Sequence, residues 1–234
     1  MIDRNRMQRL AAQFEIEISK IQLEQLDTYA HMLVEWNKVM NLTAITEPED
    51  IEIKHFLDCM LAARLCREND SIADVGTGAG FPGVVIKIMQ SNAEITLIDS
   101  LDKRLNFLSE VGKELGLSMN YIHARAEDAG HADGLRQSFT LTTARAVAPL
   151  NVLAEFCLPL TAVGGRLMAM KGRSAADEVT SAGNAIEILG GIISEEREFI
   201  LPDGSERQII IVDKLTDTPE KYPRRPAAIK KKPL

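Results

Sequence analysis

Asp74-Val75-Gly76-Thr77-Gly78-Ala79-Gly80-Phe81-Pro82-Gly83 follows a short β-rich run, Ile72 to Val75, and leads into a stretch of helical composition, 83–90. A glycine-rich turn between strand and helix lies at the carboxyl end of the strand, where open α/β sheets bind their ligands. The glycines let the backbone turn tightly and remove Cβ atoms that would block a ligand. Pro82 suits the first turn of the helix, where its missing N–H leaves no bond unmade.

Downstream, extended and helical runs alternate. Glu94 to Asp99, Tyr121 to His123, Leu141 to Ala144 and Arg166 to Met170 are extended, with helical stretches at 101–116, 149–161 and 174–189. This rhythm predicts a mostly parallel sheet with helices on both faces. Ile192–Leu201 and Arg207–Val212, around Pro202-Asp203-Gly204, read as a hairpin that ends the sheet in one antiparallel strand. Upstream, Ser19 and Gln22 have capping-box spacing. Leu26, Tyr29, Leu33, Trp36 and Met40 then form one apolar stripe. A second helix starts at Glu47-Pro48 and aligns Ile53, Phe56, Leu57, Met60 and Leu61. Residues 1–66 are thus expected to form a helical cap that packs on a ligand-binding domain, 67–234, because so short a helical pair buries too little to stand alone.

Hydrophobic residues make up 45% and charged residues 26%, the balance of a globular protein. No apolar run approaches the roughly 18 residues of a membrane span. Arg4, Arg6 and Arg9 are followed by no apolar core, so a secretory leader is not expected and the cytoplasm is the default. Cys59, Cys66 and Cys157 form no Cys-x-x-Cys pair, which argues against a disulfide framework or a metal site; Cys59 and Cys66 read as buried thiols. The net charge of −7 argues against nucleic acid as a partner. The distribution argues the other way, because Lys221, Arg224, Arg225, Lys230, Lys231 and Lys232 stand together without an acid. This tail is either a frayed, solvated end or a basic face.

Two cofactors compete for the glycine-rich loop. Gly78-x-Gly80-x-x-Gly83 satisfies the dinucleotide pattern of an oxidoreductase, a weak match alone. Asp74, Gly76, Gly78 and Gly80 satisfy the methyltransferase form, in which the loop wraps the aminoacyl end of the cofactor. A carboxylate at Asp74 suits a cationic aminoacyl group and repels a diphosphate, which favours S-adenosylmethionine. Asp99, at the second strand tip, suits ribose hydroxyls in either case. Ala126 and Glu127, after the third strand, are placed to contact adenine, although Glu127 equally suits a helix N-terminus. After the fourth strand, Thr143 to Leu150 holds no Asn-Pro-Pro-Tyr tetrad, Pro-Cys pair or Lys-Asp-Lys-Glu set. Its one charge, Arg145, suits an anionic RNA or a base with acceptor edges, or else pairs with a nearby acid.

Over nearly its whole length the chain resembles the bacterial ribosomal RNA small-subunit methyltransferase G family, also called glucose-inhibited division protein B. The matching motifs are Trp36-Asn37, Asn41-Leu42-Thr43, His55-Phe56-Leu57-Asp58, Asp74 to Gly83, Leu97 to Leu101 with Lys103-Arg104, Thr143 to Ala148, Ala169 to Gly172, Tyr222 to Arg225 and Lys232-Pro233-Leu234. Pro226-Ala227-Ala228 departs from the family's Ala-Gly, which puts only a local turn in doubt. The resemblance implies a Rossmann-like class I methyltransferase with a seven-stranded sheet. It implies methylation of guanine N7 at one site of 16S rRNA, in the conserved loop near the decoding site. It also implies that Gly76, Phe81, Ala126, Glu127 and Arg145 contact the cofactor. Guanine N7 has a free lone pair and no proton to lose, so no general base is required; catalysis rests on holding the reactants together. Arg145 and Lys171, with Asn41, Arg224 and Arg225, are then expected to face RNA. His55 and Asp58 are expected to order the cap. The partner would be 16S rRNA, the small subunit or its precursor, met by a monomer without metal. A methyltransferase acting on a small molecule or a protein is the alternative.

Overall fold

The computed structural model describes residues 1–173 and 175–234; Ser174, where the 174–189 helical stretch was expected to begin, lies outside them. Seven strands form one sheet: β1 (Ser71–Val75), β2 (Glu94–Asp99), β3 (Asn120–His123), β4 (Phe139–Arg145), β5 (Thr161–Lys171), β6 (Gly191–Ile200) and β7 (Glu206–Lys214). Their order is β3-β2-β1-β4-β5-β7-β6. β7 runs against both its neighbours, and the remaining pairs are parallel. The last strand is therefore the antiparallel one, as the hairpin reading required, but it inserts between β5 and β6. The edge is β6, whose Glu195, Glu196, Arg197 and Glu198 keep it wet.

Side chains alternate across the sheet and so divide two cores. Ile72, Leu97, Met168, Met170, Ile209 and Ile211 point to one face; Ala73, Val75, Ile98, Leu167, Ala169 and Ile210 point to the other. The second face carries α7 (Ala126–Ala129), α8 (Leu150–Cys157) and α9 (Ala175–Ile188). The first carries α5 (Gly83–Met89) and α6 (Asp102–Leu115) together with most of the helical structure of residues 1–66, in one continuous core. Pro82 stands one residue before α5, at its N-cap, not inside the first turn.

In that N-terminal region α1 (Arg4–Gln13) was not legible in the sequence; α2 (Lys20–Met40) starts at the Ser19/Gln22 capping box. α2 also closes its neighbours' ends. The Gln22 amide donates to Ile88 O and Met89 O at the end of α5, and Gln25 to Leu115 O at the end of α6. These are carbonyls that a helix C-terminus leaves without partners. α3 (Pro48–Asp50) runs into a π-helical segment, Ile51–Leu57, and then α4 (Asp58–Ala63). Cys59 is buried, but Cys66, past the end of α4, is only partly so.

The tail is not frayed. Tyr222, Pro223 and Ile229 are buried, and a short α10 (Pro226–Lys231) follows. Arg136 donates to the carbonyls of Gly130, Thr218 and Tyr222, and the Asn151 amide reaches Leu234 O. The tail thus lies along α8, whose first turn borders the site.

Candidate active site

The glycine-rich loop is held from β2. Gly76 and Thr77 N–H groups donate to Ile98 O, and Gly78 N–H donates to Asp99 Oδ2 at 2.9 Å. Asp99 is buried at the β2 tip, where it also accepts from Leu101 N–H and faces Arg104 at 3.3 Å. Asp74 lies fully buried beneath the loop. Its Oδ2 accepts from Thr77 Oγ1 at 2.6 Å and Gly83 N–H at 2.9 Å, whereas Oδ1 has no hydrogen-bond partner. Burial pushes this carboxyl up to about 6, against the pull of the Thr77 and Gly83 bonds. The glycines divide by task. A Cβ on Gly80 would meet Leu108 and Tyr29, and one on Gly83 would meet Leu97 and Asp74, so both serve packing. Gly76 lines a cavity.

Two cavities open at the carboxyl ends of the strands. One, of about 340 Å³, is bounded by Val75, Gly76, Ile98, Asp99, Ser100, Arg104, Ala124, Arg125, Ala126, Glu127, Ala146, Val147 and Phe156. It gathers Gly76, Asp99, Ala126 and Glu127 from the expected cofactor set. No protein group among the described residues donates to the buried Glu127 carboxylate, which leaves it free for a ligand's donors. The other, of about 560 Å³, is bounded by Ile45, Lys54, His55, Asp58, Arg145 to Pro149, Met170, Lys171, Gly172, Glu178 and Arg207. Ala146 and Val147 belong to both and form the wall between them. Ala146 adopts φ of 56°, an unusual conformation for a residue with a side chain, and so turns the chain at this wall.

Arg145 faces the larger cavity, where the π-helical segment holds it from below. Nη1 donates to Lys54 O at 2.9 Å and Asp58 Oδ2 at 3.0 Å, and Nη2 lies 2.9 Å from His55 Nδ1. Its guanidinium stands 5.0 Å from the centroid of the Phe81 ring. Phe81 is itself buried between His55, Tyr29 and Phe56, so its ring bounds neither cavity. Asp58 also meets Arg207 Nε at 3.5 Å. Lys171 donates to Ala148 O at 2.6 Å and pairs with Glu178 at 2.7 Å.

Three expected RNA contacts sit outside both cavities. Asn41 is exposed in a left-handed conformation at the end of α2. Arg224 makes a two-pronged bond to the fully buried Glu155 and so anchors the tail. Arg225 is exposed, as are Lys221 and Lys230 to Lys232. Among the described residues, no group of three His, Cys, Asp or Glu is placed to hold a metal, and no helix is long and apolar enough to cross a membrane.

The family model described as rRNA small subunit methyltransferase G (GidB) matches residues 22–208. A relative of that name from Alkaliphilus metalliredigens is 45% identical over 217 residues, covering 91% of each chain. The chain belongs to the rRNA small subunit methyltransferase G family. Solved structures agree on the fold of this methyltransferase. A Corynebacterium glutamicum protein gives a TM-score of 0.55 at 18% identity, over 92% of this chain and 99% of that one. The M. jannaschii TYW2 structure in complex with AdoMet gives 0.55 at 12% identity, over 68% of this chain and 75% of that one.

In this methyltransferase, sequence reasoning missed Ile45, Lys54, Val147 and Arg207 as cavity residues. Val147 stood inside a quoted motif, just past a strand tip, and bounds both cavities. Arg207 carried no local signal, since the sheet order that brings β7 beside β5 decides its place.

Proposed function

We propose that the protein transfers a methyl group from S-adenosylmethionine to N7 of one guanine of 16S rRNA, in the conserved loop near the decoding site. Membership of the family makes it an S-adenosylmethionine-dependent methyltransferase of small-subunit rRNA; the atom and the site are the proposal. The observation that supports the atom is that every titratable side chain bounding the larger cavity is already engaged; the position within 16S rRNA follows from the family resemblance. Lys54 pairs with Asp50, His55 with Arg145, Asp58 with Arg145 and Arg207, and Lys171 with Glu178. Burial and the neighbouring guanidinium push His55 down to about 3, so it stays neutral. No group is left free to take a proton, and guanine N7 has none to give.

Gly76, Asp99, Ala126 and Glu127 would hold the cofactor in the smaller cavity, with Gly78 tied to Asp99 and Asp74 beneath the loop; Phe81 is buried behind the loop, and Arg145 faces the neighbouring cavity. When bound, S-adenosylmethionine supplies an electrophilic methyl group. The chain's own part is positioning. Ile45, Val147, Pro149 and Met170 offer the apolar faces against which a purine lies, and the Ala146–Val147 wall sets its distance from the cofactor cavity. Arg145 and Lys171 are tied to carboxylates, so their charges do not press on a ring that becomes cationic.

Residues 1–66 act as the cap that floors the substrate cavity, and 67–234 as the cofactor-binding domain. The protein acts as a monomer, and the ribosomal substrate supports a cytoplasmic location. The test supplies labelled S-adenosylmethionine with unmodified small subunits and, separately, naked 16S rRNA, and then maps the label. Methyl on N7 of one guanine is the expected result. Label on another atom, or none on either substrate with cofactor binding intact, would overturn the proposal.

A further inference from the structure

The buried cluster where cap and loop meet supports a specific role for His55, one that rests on the methyltransferase reading above. A guanidinium has donors only. With Arg145 Nη2 at 2.9 Å, His55 Nδ1 must therefore present its lone pair, and the ring proton sits on Nε2, 3.0 Å from Thr43 Oγ1. Thr43 Oγ1 is fixed in turn by Ile45 N–H, and Ile45 bounds the substrate cavity. The other face of the matter is aromatic. The His55 ring stacks on Phe81 of the glycine-rich loop, with centroids 4.2 Å apart and planes at 19°. His55 is 5% exposed, so neither contact competes with water.

We propose that His55 is a positioning residue: by accepting from Arg145 and stacking on Phe81, it ties the guanidinium facing the substrate cavity to the loop that bounds the cofactor cavity. Losing the acceptor leaves Arg145 Nη2 unmatched and free to turn its charge toward the purine, which slows the chemical step. Losing the stack loosens Phe81 and the loop, which weakens cofactor binding. A residue that merely filled space would not separate these two effects.

The experiment compares wild type, His55→Phe and His55→Asn on small subunits, reading kcat and the KM for S-adenosylmethionine, with melting curves and calorimetric cofactor affinity alongside. His55→Phe keeps the stack and loses the acceptor, and its kcat should fall by about tenfold or more, with KM changed far less. His55→Asn places an amide oxygen near the Nδ1 position and loses the stack; it should recover most of that kcat while raising KM by about threefold or more. Equal changes in both variants, or a His55→Phe enzyme with wild-type kcat, would overturn the proposal. If His55→Phe does not fold, His55→Asn decides alone: kcat near wild type with a raised KM for S-adenosylmethionine is expected, and an unchanged KM would refute the role. If wild type methylates neither RNA substrate, the functional reading fails on its own. The calorimetric arm then still judges His55, because only His55→Asn should lose cofactor affinity.

Discussion

A Cβ on Gly76 would stand 2.9 Å from Val147 Cγ2, so the wall between the two cavities closes directly onto the glycine-rich loop. Gly76 also holds φ of 70°, a region costly for a residue with a side chain. Gly76→Ala should therefore reduce S-adenosylmethionine affinity by about tenfold or more, while the melting temperature falls by only a few degrees, about 1–2 kcal/mol. Calorimetry at equal folded fraction checks it; unchanged affinity would remove this residue from the binding surface.

Asp74 should show opposite signs in stability and binding. Its carboxyl is raised to about 6 from an ordinary 3.8, so the folded protein holds its proton more tightly than the unfolded chain. The stability this gives is complete below pH 3.8 and is lost as pH rises through 6. At pH 7.5, Asp74→Asn removes a buried charge and keeps an oxygen for Thr77 and Gly83. It should stabilise the fold, on the order of 2–3 kcal/mol, with the gain shrinking toward pH 4. Cofactor affinity should fall at the same time, since the carboxylate's charge is gone. A stability gain with wild-type affinity would leave Asp74 a purely structural residue.

The tail's cations should separate into two kinds. Arg224→Ala strands the buried Glu155 and should cost about 3 kcal/mol in unfolding free energy. Replacing Lys230, Lys231 and Lys232 by Ala touches no described ion pair, so it should leave the melting temperature within a degree or so while lowering affinity for rRNA and flattening its salt dependence. An unchanged salt slope would make the tail a strap alone.

These cases mark what was readable beforehand. The Ser19/Gln22 cap and the strand tips at Asp74 and Asp99 are local patterns, complete within a few residues, and each stood where expected. The partners of Arg145, by contrast, come from 87 to 91 residues away, and the Glu155 under Arg224 from 69 residues away. Nothing near Arg145 announces that Lys54, His55 and Asp58 will converge on it, because a π-helical winding of the cap arranges them. α1 escaped for a related reason: it buries only Met7 and Ala11, and a distant ion pair fixes it.

That ion pair gives a fourth test. Arg6 reaches the fully buried Glu52 from α1, with Nε to Oε2 at 2.6 Å. Arg6→Ala should destabilise the protein by about 2–3 kcal/mol, as an unpaired buried carboxylate requires. Arg6 bounds neither of the two cavities at the strand ends, so kcat under conditions where the protein stays folded should change little. A large fall in kcat without loss of stability would show that α1 reaches the reaction.

The continuous core beneath the cap also governs how the chain is born. The cap leaves the ribosome first, yet Tyr29 donates to Ala79, Gln25 to Leu115, and Arg145 to Lys54. Its apolar stripe must wait, uncovered, until α5 and α6 have been synthesised. So high a separation between partners slows folding and exposes sticky surface on the way. An enzyme that serves the ribosome thus emerges from it with its oldest segment waiting on later helices, and nascent chains stalled before α6 should be the ones that draw chaperones.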